Sequence, residues 1–243
     1  MNRRAFVKSL AAMSAAAGLD VALRAQEADV SAARLPRWRG FNLQGRFATA
    51  GKPSLGRAFD EFDFAAMAEW GFDFARLPLN YWAWGDRHDW SVIREEPLKE
   101  IDRAIDLGRQ HGIHVNVNFH RCPGYCINGR ELEQADLFTG TAAERRKAQE
   151  ATIFHWRTFA RRYEGIPNRH VLFDLINEPP KMRSYDGYLE ERYVEIVKAV
   201  DAAIREVDPK RLIFADGMDI GQAPVLGTGG AGGQPAGMGG AWG

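Results

Sequence analysis

Cysteine is nearly absent from this chain: Cys122 and Cys126 are the two it has in 243 residues. A disulfide-built scaffold is therefore excluded. A metal site on the two thiols would need two further ligands; His120 is close in sequence but no fourth ligand is evident, so no metal or other cofactor is expected. The thiols flank a Pro-Gly turn in Cys122-Pro123-Gly124-Tyr125-Cys126, a spacing that admits either a disulfide in an oxidising compartment or two free thiols. Net charge is absent too. Thirty-two Lys and Arg balance 32 Asp and Glu, so no excess of one sign points to nucleic acid or an acidic surface. Long apolar runs are missing. The Ala-rich stretch from Ser9 to Leu19 is about half of the ~20 residues a stable membrane span needs, and Asp20 interrupts its end. Glu is missing from the whole segment after Glu206.

What is present begins with a targeting pattern. Arg3-Arg4 is followed by Phe6, Lys8 and the Ala-rich stretch, and Leu23-Arg24-Ala25 offers a small residue for cleavage. Residues 1–25 resemble a twin-arginine export signal, which implies a periplasmic or extracellular bacterial protein; a short amphipathic helix is the alternative. At the other end, residues 226–243 are mostly glycine and alanine. Such a segment buries too little apolar surface to offset its ordering entropy and is expected to be disordered.

Between them, residues 26–225 alternate strand-like and helix-like patterns. Strands are expected over 38–43, 72–78, 114–120, 171–176 and 211–216, the second ended by Pro78. Helices are expected over 59–70, from Pro97 to His111-Gly112, over 142–163 and over 188–207, where the apolar positions fall on one face. Five such units with β-branched and aromatic strands indicate a parallel α/β architecture. An open doubly wound sheet and a (β/α)8 barrel both fit the alternation. Residues 40–45, Gly-Phe-Asn-Leu-Gln-Gly, lack the phosphate-loop spacing of a dinucleotide fold, which favours the TIM-barrel type. Only about the first five β/α units are present, where a whole barrel takes ~250 residues.

Barrels carry their working residues at the C-terminal ends of the strands. Those positions hold Asn42, Arg76, Asn118, His120, Asn177, Glu178 and Asp216. Glu178 leaves an apolar strand at the rim, a setting that raises a carboxyl pKa and suits a proton donor; a Glu capping a turn is the plain alternative. Arg76 suits orienting a carboxylate, with a structural salt bridge as the alternative. Asn177 and His120 suit sugar hydroxyls. Trp82 and Trp84, with Tyr81 and Trp90, follow the second strand without regular spacing. Their flat faces suit pyranose stacking, against local loop packing.

Arg39-Gly40-Phe41-Asn42, Arg76 before Pro78, His120 after an apolar strand, and Leu175-Ile176-Asn177-Glu178-Pro179 resemble, in order, the strand-end motifs of glycoside hydrolase family five, the cellulase-type retaining glycosidases of clan A. The segment from His120 to Cys126 also resembles a loop of its bacterial members. The resemblance spans residues 38–225. It implies hydrolysis of β-linked glucans, mannans and related polysaccharides or oligosaccharides with retention. It implies Glu178 as acid/base and Asn177 at the sugar 2-hydroxyl, with Arg76 and His120 around nucleophile and substrate. The family draws its nucleophilic Glu from strand seven, a His-x-Tyr motif from strand six and a stacking Trp from strand eight. None has a counterpart here, so the expectation is a site without its nucleophile, through truncation or an altered frame near Val225. Such a chain is either a glycosidase by lineage or a non-catalytic carbohydrate-binding fragment. Asp216 or Asp219 as second carboxylate is the less favoured reading.

Overall fold

The computed structural model describes residues 30–45, 57–180 and 188–218. The expected export signal, the Gly-rich segment and Asp219 lie outside the described residues. Residues 30–36 belong to a unit of their own, in which Ser31 and Arg34 bridge across a turn. The unit from Arg37 onward carries the sheet.

Its elements are β1 (Gly40–Asn42), α1 (Glu61–Glu69), β2 (Phe74–Asn80), α2 (Glu95–His111), β3 (His114–Arg121), α3 (Ala142–Arg162), β4 (Val171–Asp174), α4 (Tyr188–Arg205) and β5 (Ile213–Phe214). Local chemistry sets several boundaries. Asp60 opens α1 in a capping box with Asp63, and Thr141 opens α3 in one with Glu144. Gly112 closes α2 in the left-handed conformation, φ 70°.

The strands lie in the order β1-β2-β3-β4-β5, every pair parallel. A doubly wound sheet reverses its strand order at a switch point. This sheet does not, and the five strands with the four helices between them form an arc of a (β/α)8 barrel.

Period-two alternation splits the sheet into two faces. Leu77, Leu79, Val115, Val117, Phe119, Val171 and Phe173 are wholly buried and share one core with Phe64, Leu98, Ile101, Trp156, Phe159 and Ile196 from the helices. Phe119 stacks on Trp156 at 3.8 Å between centroids. The register pairs Arg76 with Asn116 and Asn118 with Asp174, which puts the polar side chains together on the other face.

One strand boundary departs from expectation. β2 runs through Pro78 to Asn80, so Arg76 sits within the strand rather than at its end. Leu43 N–H donates to Arg76 O at 2.8 Å, so the even-numbered residues of β2 point their backbone groups toward β1. β1 stops at Asn42, opposite Arg76. The donor that Pro78 lacks therefore faces a side with no strand left to pair.

Candidate active site

Arg76 is the hub of the polar face. Its Nε donates to Asp174 Oδ2 at 2.9 Å, Nη2 to Asn177 Oδ1 at 2.8 Å and Nη1 to Asn42 Oδ1 at 3.4 Å. Nη2 also lies 3.6 Å from Asp216 Oδ2. Asn116 Nδ2 adds a 3.2 Å hydrogen bond to Asp174 Oδ2, and Asn118 Nδ2 reaches the Asp174 carbonyl at 3.4 Å. Asp174 is buried as the last residue of β4, inside the apolar run of residues 171–176, where a carboxylate needs a charged partner. With Arg76 engaged by these acceptors, the rim offers little unspent positive charge to an anionic ligand.

Asn177 is held at both ends. Its N–H donates to Phe119 O at 3.2 Å and its Oδ1 accepts from Arg76. That fixes the amide orientation and leaves Nδ2 buried with no partner among the described residues. His120 Nδ1 is likewise buried and unpartnered. Burial, then Arg76 and Arg121, lower the His120 pKa to about 4, so its imidazole is neutral at pH 7.

Glu178 is partly exposed and has φ 46°, the one positive φ among the described non-glycine residues. Its N–H donates to Asp216 Oδ2 at 3.1 Å, and its carbonyl accepts from Tyr125 Oη at 2.5 Å. Burial, then the Asp174 charge, raise the Asp216 pKa to about 6, with Arg76 opposing. Amides, a neutral imidazole and two partly exposed carboxyl groups, Glu178 and Asp216, suit an uncharged polyhydroxyl ligand and proton transfer to or from it.

A model of the cellulase family, glycosyl hydrolase family 5, matches residues 25–235. The chain belongs to this family. It is 28% identical over 178 residues to cellodextrinase A of Ruminococcus flavefaciens, covering 72% of this chain and 49% of that protein. It is 27% identical over 181 residues to endoglucanase C of Acetivibrio thermocellus, again covering 49% of the relative. A crystal structure of a glycoside hydrolase superposes with TM-score 0.69 at 31% identity, over 78% of this chain and 56% of that one. An endoglucanase from the hyperthermophilic Thermotoga maritima shares the fold at TM-score 0.58 and 19% identity, over 76% of this chain and 52% of that one. The chain spans about half the length of the curated relatives it matches.

Within this glycosyl hydrolase family 5 chain, Asn42, Arg76, Asn177 and Asp216 are joined in one hydrogen-bonded and ionic cluster that reaches the Glu178 backbone. The loop tryptophans are not part of it. Trp84 was expected as a sugar platform but is wholly buried. Its Nε1 donates to His155 Nδ1 at 3.0 Å, and its ring packs on Phe119 and Phe159 at 5.3 and 5.1 Å. Irregular spacing there reflects a loop folded back into the core. Trp82 is half-buried, with the Arg121 and Arg87 guanidinium carbons 4.2 and 4.6 Å from its ring centroid. Cations already occupy the surroundings of that ring. The disulfide alternative is not realised either: Cys122 and Cys126 are both free and buried, and Cys122 Sγ faces Tyr125 O at 3.7 Å. Burial raises both thiol pKa values, which keeps the groups protonated.

Sequence reasoning missed Asp174, Asn116 and Tyr125. Asp174 carried a usable signal, an acid inside an apolar run. Tyr125 carried none, because its link to Glu178 spans 53 positions.

Proposed function

We propose that the chain supplies the acid/base half of a retaining β-glycosidase site, with Glu178 as proton donor. β-linked glucan or mannan-type polysaccharides or oligosaccharides are its substrate class. Asn177, His120, Arg76 and Asn42 hold the sugar at the cleavage point. The observation that supports this reading is the Arg76–Asn177 hydrogen bond, which engages the amide oxygen and leaves a buried donor, Asn177 Nδ2, without a partner among the described residues, on the residue that precedes Glu178. Relatives named cellodextrinase and endoglucanase support the substrate class.

Double displacement needs a second carboxylate about 5–5.5 Å from the first. Asp216 does not fill that role in this reading, because its Oδ2 is engaged by the Glu178 N–H, on the same side as the acid. A small anion can stand in for the missing partner. With molar azide, an aryl β-cellobioside is expected to give the α-cellobiosyl azide: azide bonds to C1, the C1–oxygen bond breaks, and Glu178 protonates the departing oxygen. Product analysis of wild type against Glu178→Gln checks this, with a loss of ~10²-fold or more expected on a poor leaving group. Equal rates would remove Glu178 from the role. Oligosaccharide binding without any azide product would instead favour the second reading, a non-catalytic carbohydrate-binding chain.

Export through a twin-arginine signal belongs to the same proposal, supported by Arg3-Arg4 and the Ala-rich stretch. No helix among the described residues is long and apolar enough to cross a membrane. N-terminal sequencing of the mature protein should find cleavage near Ala25; an uncleaved cytoplasmic product would exclude it.

A further inference from the structure

We propose that Tyr125 and Asp216 are positioning residues that clamp the Glu178 backbone in its left-handed conformation and so aim its carboxyl group; this rests on the reading of Glu178 as the acid. Three observations meet at that residue. Glu178 has φ 46°, a region that side chains with a Cβ rarely occupy. It also precedes Pro179, whose ring crowds the right-handed region that would relieve it. And both of its peptide groups are held: the N–H by Asp216 Oδ2 at 3.1 Å, the carbonyl by Tyr125 Oη at 2.5 Å.

Each jaw is itself anchored. The Tyr125 ring is buried and packs edge-on to Phe138 at 4.8 Å. Its backbone closes a tight turn with Cys122, through paired N–H to O bonds of 3.0 Å in both directions. Gly124 takes φ 81° in that turn, and a Cβ there would stand 2.5 Å from Ala148 Cβ. The Cys-Pro-Gly-Tyr-Cys motif, which no substrate role had absorbed, thus becomes the mount of one jaw. On the other side, the Asp216 carbonyl accepts from the buried Tyr193 Oη at 2.7 Å, so α4 holds the residue whose carboxylate holds Glu178. The two jaws reach Glu178 from the loop after β3 and from the end of β5.

The test follows the Glu178 backbone directly. Its 13Cα and 13Cβ shifts and HN–Hα coupling are measured by NMR in wild type, Tyr125→Phe, Asp216→Ala and Asp216→Asn, with Glu178→Gln used for assignment. The azide-supported rate and KM are measured alongside. Tyr125→Phe and Asp216→Ala are expected to move the Glu178 signals off their left-handed values. They should also lower kcat by ~10- to 100-fold with KM within about twofold. Asp216→Asn keeps an acceptor oxygen and should lose less than Asp216→Ala. If Asp216→Ala does not fold, Tyr125→Phe and Asp216→Asn carry the comparison. Unmoved Glu178 signals in both jaws, or KM rising in step with the fall in kcat, would overturn the clamp. A Glu178→Gln protein as active as wild type, with the signals still moving in the jaw variants, would instead overturn the assignment of Glu178 as the acid.

Discussion

Glu133→Leu is expected to lower the unfolding free energy by about 3–5 kcal/mol. The Glu133 and Arg121 side chains are both wholly buried and meet at 2.6 Å. Glu133 also accepts from Tyr81 Oη at 2.7 Å and from Gly124 N–H at 3.2 Å. Tyr81 Oη in turn accepts from Trp90 Nε1 at 2.8 Å. Burial, then the Glu133 charge, push the Tyr81 hydroxyl far above its usual range, so it remains a donor. Leucine would strand the Arg121 guanidinium in the core and release the loops after β2 and β3 together. Such a loss is large against the ~5–15 kcal/mol that holds a domain together. Urea unfolding followed by circular dichroism checks it. The double variant Arg121→Met/Glu133→Leu should recover much of the loss, since removing a buried pair whole leaves no bare charge. A single-variant loss under about 1 kcal/mol would mean that solvent reaches this pair.

Acid is expected to be the second large lever. Burial lowers His114, His120 and His155 from 6.5 to about 4. His155 shows why. Its Nδ1 accepts from Trp84 Nε1 and its Nε2 faces Trp90 O at 2.9 Å, so a second ring proton would point at a donor. His114 is stacked on Trp38 at 4.0 Å. Between the two pKa values the unfolded chain binds protons that the folded chain refuses. Stability from these groups is therefore complete above pH 6.5 and drains away as pH falls to about 4. Asp216 runs the other way: its pKa is raised from 3.8 to about 6, so its contribution is present below that window and lost as pH rises through it. Three histidines outweigh one carboxyl. At an upper bound of ~3 kcal/mol per histidine, the net loss is on the order of 5 kcal/mol. Urea midpoints measured from pH 7 to pH 4 should fall continuously, and a flat profile would show that the imidazoles are hydrated.

Much of this fold was legible because β/α alternation and strand polarity are local. His114-Val115-Asn116-Val117-Asn118-Phe119 shows its two faces in the sequence, and Gly112 announces the end of α2. Pro78 misled because whether a strand tolerates proline depends on the neighbouring strand, and β1 stops opposite Arg76, before it would reach Pro78. Trp84 misled because irregular spacing marks a loop without saying whether the loop folds outward or inward. At the site, Arg76, Asn177 and Glu178 stand out in the sequence at expected strand ends, although Arg76 lies within β2 and β4 stops at Asp174. What remained hidden was long-range: the backbone of Glu178 depends on Tyr125 and Asp216, 53 and 38 positions away. No periodicity carries that information.

In the proposed reading Glu178 donates the proton that departs with the leaving group, and the azide-supported rate of Glu178→Ala on two β-cellobiosides that differ only in the leaving group tests this. A dinitrophenolate departs without protonation, so that substrate should lose less than about tenfold, whereas an alkyl leaving group should lose ~10³-fold or more. Equal losses on both would contradict the assignment and leave Glu178 a residue that merely shapes the rim.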